Sequence, residues 1–179
     1  MHDASGSTSR EPRHGSDVWR VTAVPDGDTI YVESPGVARR KPEHKVHLVG
    51  VDAPDMGYGN RKSERFCGEA TACLRELVLG QLVRIQADRM GDDVDRYSRL
   101  LRHVARHDDD MDVNREIIRL GWARLDRYEF EPSVEARYDA AEREAKKAHR
   151  GIWHNWTGDQ TPKNYKPKSR PPLMSYALR

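Results

Sequence analysis

Two short acidic segments, Asp26-Gly27-Asp28-Thr29 and Val51-Asp52-Ala53-Pro54-Asp55, each adjoin an alternating apolar stretch, and Asp95-Arg96-Tyr97-Ser98-Arg99 follows further along the chain. Carboxylates at two strand ends can hold a hard divalent cation through oxygen ligands. An arginine brought beside them can clamp a phosphate with its planar fork. A cation site, an arginine and a spare carboxylate together supply the chemistry of phosphodiester cleavage, and that is the reaction class these residues point to.

The elements that must position them are legible from periodicity. Residues 18–24 and 29–33 read as strands, with Pro25-Asp26-Gly27-Asp28 as the turn between them. A third strand is expected over 45–51, with Val46 and Leu48 on one face and Lys45, His47 and Val49 on the other. Residues 34–41 are expected to form a loop with Arg39 and Arg40, and 56–62 a basic, mobile surface loop with Arg61 and Lys62. Ala70, Cys73, Leu74, Leu77 and Val78 recur at helical spacing, which predicts a helix over 64–79 with Gly80 as its stop.

Further strands are expected over 82–87 and 100–105, then a helix over 113–120 ended by Gly121. A last helix is expected over 133–149, N-capped by Ser133, with Lys146, Lys147 and His149 in its final turn and Gly151 ending it. Five strands interleaved with three helices spell an α+β chain: a five-stranded OB-fold β-barrel with three packed α-helices. The expected organisation is a disordered leader over 1–16, the OB-fold domain over 17–156 and a basic, Pro-rich tail over 157–179.

Composition bounds this reading. Hydrophobic residues make up 36% and charged residues 34%, which implies a small core under a densely charged surface. Thirty-one basic residues nearly cancel 29 acidic ones, so any basic face for nucleic acid must be local. Cys67 and Cys73 read as buried thiols, without a disulfide or a zinc site. No apolar run approaches about 18 residues, so no membrane span is expected. The N-terminus lacks a secretory pattern, which favours a cytoplasmic location for the chain as given. His103 and His107 are four apart but lie in a strand and turn, so no metal site is assigned to them. Asp108 to Asp110 reads as an acidic turn, and the tail either adds phosphate contacts or is simply solvated.

The ordered motifs Val24-Pro25-Asp26-Gly27-Asp28-Thr29, residues 46–54, and Asp95-Arg96-Tyr97-Ser98-Arg99 resemble the staphylococcal thermonuclease family. Val113-Asn114, Gly121 and Gly151-Ile152-Trp153 extend the resemblance over about residues 18 to 155. It implies a calcium-dependent enzyme that hydrolyses DNA and RNA and leaves 3′-phosphate ends. On this resemblance Asp28 and Asp52 match the Ca²⁺-binding carboxylates, and the backbone carbonyl of Ala53 matches a third protein ligand. Asp26 would orient water or simply fix its own turn. Arg99 matches an arginine that holds the scissile phosphate, and Arg96 and Tyr97 match nucleotide contacts, with packing on the barrel rim as the other reading of Tyr97.

Two positions depart from the family pattern. His47 stands where a second arginine is usual, and Asp55 stands where a glutamate acts as base or water-orienting carboxylate. Histidine offers one or two donors in place of five, and aspartate is one methylene shorter. Losing a strong transition-state donor costs about 10²–10³ in rate, and a misplaced base forfeits part of roughly 10²–10⁴. Lys45, Arg39, Arg40, Arg61 or Lys62 could restore the charge, and His47 could itself act as acid or base. The expected partner is nucleic acid, single-stranded by preference because an OB groove suits flexible strands, bound by a monomer. The alternatives are a catalytically weakened nucleic-acid-binding OB module and a barrel used for protein contacts.

Overall fold

The computed structural model describes residues 18–34, 43–57, 59–60, 62–127 and 131–155. The expected leader and tail, Arg39, Arg40 and Arg61 lie outside the described residues. Among these residues the chain forms the expected α+β barrel, with β1 Val18–Asp26, β2 Thr29–Glu33, β3 His44–Leu48, β4 Val51–Asp52, α1 Cys67–Val78, β5 Leu82–Gln86 and β6 Leu100–Arg106. There follow α2 Val113–Arg119, β7 Arg124–Leu125, α3 Pro132–Lys147 and a 3-10 turn, Gly151–Trp153.

The barrel closes in the order β1-β2-β3-β6-β5. All neighbours are antiparallel except β3 and β6, which run parallel. Alternate residues of each strand point inward, so Val21, Ile30, Val32, Val46, Leu48, Val83 and Val104 meet with at most 1% exposure. The apolar stripes of the helices, including Leu74 and Val78 of α1, Ile117 and Ile118 of α2 and Tyr138 of α3, complete the same core. Each fully buried Leu, Ile or Val side chain stabilises the fold by roughly 1.5–3 kcal/mol.

Several expected boundaries shift, each for a local reason. The third strand ends at Leu48, because Gly50 at φ +71° turns the chain away from the barrel. Val51 and Asp52 then pair with Leu125 and Arg124 instead. The opposite face is covered as well: His47 of β3 and Val49 in the turn after it are each 8% exposed, while Val46 and Leu48 occupy the inner face.

Helix α1 starts at Cys67 rather than 64, since Phe66 adopts φ +71°. Pro132, not Ser133, opens α3 from a cap at Glu131; proline suits the first turn, where its missing N–H goes unused. Both cysteines are free and only half-buried. Burial, with Glu76 and Glu116 nearby, pushes the Cys73 thiol up to about 11.

Asn114, at the start of α2, is fully buried and ties the turn after β3 to β6. It donates to the carbonyls of Val49 (2.9 Å) and Arg102 (3.1 Å) and accepts from Val104 N–H (2.9 Å). These bonds hold the turn after β3 against β6, and thereby place the Asp52 segment relative to the strand that follows Arg99. Among the described residues no helix is long and apolar enough to cross a membrane.

Candidate active site

Asp28 is the centre of the site, at 4% exposure. Its N–H donates to Asp26 Oδ1 at 3.2 Å, which closes the turn between β1 and β2. Gly27 must lack a side chain here. A Cβ would fall 2.7 Å from Ala53 Cβ and 2.8 Å from Ala70 Cβ, so the turn is pressed directly on the end of β4 and on α1.

That approach lets Ala53 N–H donate to Asp28 Oδ2 at 3.3 Å, while Thr29 Oγ1 donates to Oδ1 at 3.0 Å. The β2–β3 register sets Thr29 opposite His47, and Leu48 N–H donates to the Asp28 carbonyl at 3.0 Å. The His47 ring therefore lies against Asp28, with Nδ1 3.2 Å from Oδ1 but off the line of a hydrogen bond.

Arg99 arrives from the turn before β6. Asp95 organises this turn: its Oδ1 accepts from the N–H groups of Tyr97 (2.8 Å) and Arg99 (2.9 Å), and its Oδ2 accepts from Arg99 Nε at 2.6 Å. Burial pushes the Asp95 carboxyl up, but the Arg99 N–H and guanidinium and the Tyr97 N–H outweigh it and hold the group below the usual carboxylate range. The anchored guanidinium donates from Nη1 to Thr29 Oγ1 at 3.1 Å and stands 3.8 Å from Asp28 Oδ1. Thr29 thus accepts from Arg99 and donates to Asp28, linking cation to carboxylate.

Tyr97 is 59% exposed. The guanidinium carbons of Arg96 and Arg99 lie 4.8 and 5.5 Å from its ring centre. The result is a cationic, aromatic rim beside the carboxylates.

Asp52, also 4% exposed, belongs to β4 and lies one residue from the Ala53 amide that binds Asp28. Opposite it on β7 is Arg124, whose Nη1 is 3.9 Å from Asp52 Oδ2. Negative charge is crowded here. Burial raises the Asp26 carboxyl above its ordinary value and the charge of Asp28 raises it further, although a Thr29 hydrogen bond opposes this.

Asp55 is exposed, one step beyond Pro54. Its N–H donates to Glu64 Oε2 at 3.1 Å, and Glu64 N–H returns the bond to the Asp55 carbonyl at 2.9 Å.

The fold thus brings Asp26, Asp28, His47, Ala53 and Arg99 directly together, with Asp52 joined through Ala53 and Asp55 at the exposed edge. Of the charges considered as substitutes for a second arginine, Lys45 lies over the Tyr31 ring at 6.0 Å and Lys62 is exposed. Three participants were not foreseen: Thr29 as a link, Glu64 and Arg124. A two-residue strand such as β7 has too little length to show a period, so nothing near Arg124 marked it. His103, set aside above as a metal ligand, instead lies 2.8 Å from Asp88 Oδ2 and 3.2 Å from the Tyr138 hydroxyl.

Comparison with known proteins bears on the family of the chain. The model of the family described as staphylococcal nuclease homologue matches residues 45–155. A protein named "Probable endonuclease LCL3" from Schizophyllum commune is 32% identical over 178 residues, covering 82% of this chain and 59% of the relative. A protein of the same name from Komagataella phaffii is 32% identical over 82% of this chain and 73% of its own length. The "Thermonuclease" of Staphylococcus hyicus is 28% identical over 76% of each. With most of the chain covered, this protein belongs to the staphylococcal nuclease homologue family.

Proposed function

We propose that this protein is a Ca²⁺-dependent nuclease that hydrolyses phosphodiester bonds of DNA or RNA and leaves 3′-phosphate ends. The observation that carries the reading is Arg99, anchored by Asp95 and held 3.8 Å from the buried carboxylate of Asp28. Relatives named endonuclease and thermonuclease support it.

The donors fit a hard cation. Among the described residues no three His, Cys, Asp or Glu side chains form a ready-made cage. Two carboxylates and a backbone carbonyl need no such cage, since calcium takes oxygen ligands of mixed kind and completes its shell with water and substrate. Asp28, Asp52 and the Ala53 carbonyl would hold the ion, and the crowded negative charge at Asp26 and Asp28 favours a cation there. Bound there, calcium would polarise a phosphoryl oxygen and neutralise charge that develops on it.

The chain's own groups supply the rest. Arg99 presents fixed cationic donors to the phosphoryl oxygens, where charge grows during attack. Asp95 prevents that fork from swinging away, so little reorganisation is needed at the moment of reaction. Asp55 accepts the proton of the attacking water or orients it, and Glu64 holds the backbone from which Asp55 reaches. His47 steadies Asp28, or passes a proton at the site's inner wall. Arg96 and Tyr97 receive the nucleotide at the rim, and an OB groove with such a rim suits a single strand bound by a monomer.

A second reading is a weakened nucleic-acid-binding module. One observation favours it: the His47 ring is turned to Asp28, so the second phosphate donor usual in the family is missing from β3. Cleavage of fluorescent single-stranded DNA and RNA, with Ca²⁺ and with chelator, separates the two. Ca²⁺-dependent cleavage that is lost in Asp28→Ala supports the nuclease; salt-sensitive binding without cleavage supports the module.

A further inference from the structure

The geometry points to Arg124 as a resident counter-cation of the calcium site, one that stabilises Asp52 in the metal-free protein and opposes divalent-cation binding. This rests on the proposed cation site at Asp28 and Asp52. Arg124 lies opposite Asp52 in the β4–β7 pair, and both are nearly buried, at 9% and 4% exposure. The Nη1···Oδ2 distance of 3.9 Å is that of an ion pair, too long for a hydrogen bond, so this contact acts through charge more than by orienting the carboxylate.

The guanidinium is held in place from behind. Its carbon lies 5.8 Å from the centre of the Trp153 ring, which Lys146 Nζ approaches at 4.5 Å. Trp153 sits on the C-terminal 3-10 turn, docked by Ile152 N–H donating to the Gly121 carbonyl at 2.8 Å. A Cβ at Gly121 would fall 2.5 Å from the Arg150 carbonyl oxygen, so only glycine allows this docking. From α3, Glu142 Oε1 accepts the N–H of Leu125, the neighbour of Arg124, at 3.1 Å. The cation therefore cannot retreat far when a second cation arrives.

Two opposite effects follow. With no metal bound, Arg124 offsets the charge of Asp52 beside the carboxylates of Asp26 and Asp28. With metal bound, it repels a divalent ion held by the same carboxylate, in surroundings where screening is weak. Arg124 acts through Asp52 and touches no substrate, so it is a positioning residue that sets the affinity of the site.

The test is calorimetric titration of the full chain with Ca²⁺ alone, combined with thermal unfolding in chelator, for Arg124→Met, Arg124→Gln and Arg124→Lys. Met and Gln should bind Ca²⁺ about tenfold more tightly while unfolding several degrees lower in chelator. Lys, which keeps the charge, should stay near wild type in both. If Met does not fold without metal, Gln, which is polar and uncharged, reads the same quantities. The loss of unfolding temperature should shrink in an Asp52→Asn background, where there is no charge to compensate. Weaker or unchanged Ca²⁺ binding in both Met and Gln, with wild type still binding, overturns the role of Arg124 alone. No Ca²⁺ binding by wild type overturns the cation site, and this role with it.

Discussion

Asp55 and Glu64 hold each other through a reciprocal pair of hydrogen bonds: Asp55 N–H to Glu64 Oε2 at 3.1 Å, and Glu64 N–H to the Asp55 carbonyl at 2.9 Å. The intervening loop is thereby closed at its base, and Asp55 projects from a fixed backbone although its side chain is exposed. In the proposed role of base, a short carboxylate needs a backbone that does not wander, and the clamp provides one for Asp55.

Glu64→Ala should lower kcat by about tenfold, a fraction of what general-base help supplies. Ca²⁺ affinity should stay near wild type, because Asp28 and Asp52 are untouched. Glu64→Gln keeps an acceptor for the Asp55 N–H and should retain most activity. Steady-state kinetics beside Ca²⁺ titration checks both. Equal losses in Ala and Gln would show that the clamp is not what matters.

His47→Arg should raise kcat by about 10²-fold, because it returns a multidentate donor to a position beside Asp28. Unchanged kcat with an intact fold would place the function of His47 with Asp28 and not with phosphate.

Arg99→Lys keeps the charge but loses the fork that bonds Asp95 and Thr29 together. Single-turnover cleavage should fall by about 10²–10³-fold.

The Asp95 carboxyl is held below its ordinary value of 3.8. Its contribution to stability is thus complete above that value and is lost as pH falls through the lower folded-state value. Asp95→Asn should be less stable than wild type at neutral pH and should converge on it in acid. Urea unfolding at a series of pH values reads the convergence, and parallel curves would exclude the linkage.

Gly27→Ala should destabilise by about 1–3 kcal/mol, the usual cost of overpacking. The added Cβ meets Ala53 Cβ and Ala70 Cβ, neither of which can rotate away. Moving the turn would also lengthen the Ala53 N–H···Asp28 bond, so Ca²⁺ affinity should weaken together with the denaturation midpoint.

Barrel and helices were legible in the sequence because their physics is local and periodic. Val21, Ile30, Val32, Val46 and Leu48 alternate, and Leu74 and Val78 share a helix face; burying them allows few other arrangements. Asp28, Asp52 and Arg99 could be singled out because their spacing and residue types resemble a family pattern, and Asp55 because it departs from that pattern. Tertiary structure alone decided the rest. That β4 leaves the barrel to meet β7, that Arg124 faces Asp52, that His47 turns to Asp28 and that Glu64 closes on Asp55 are contacts between residues from 9 to 74 positions apart. No periodicity encodes such pairs, because each depends on where a turn, a glycine contact or a docked helix brings the chain back to itself.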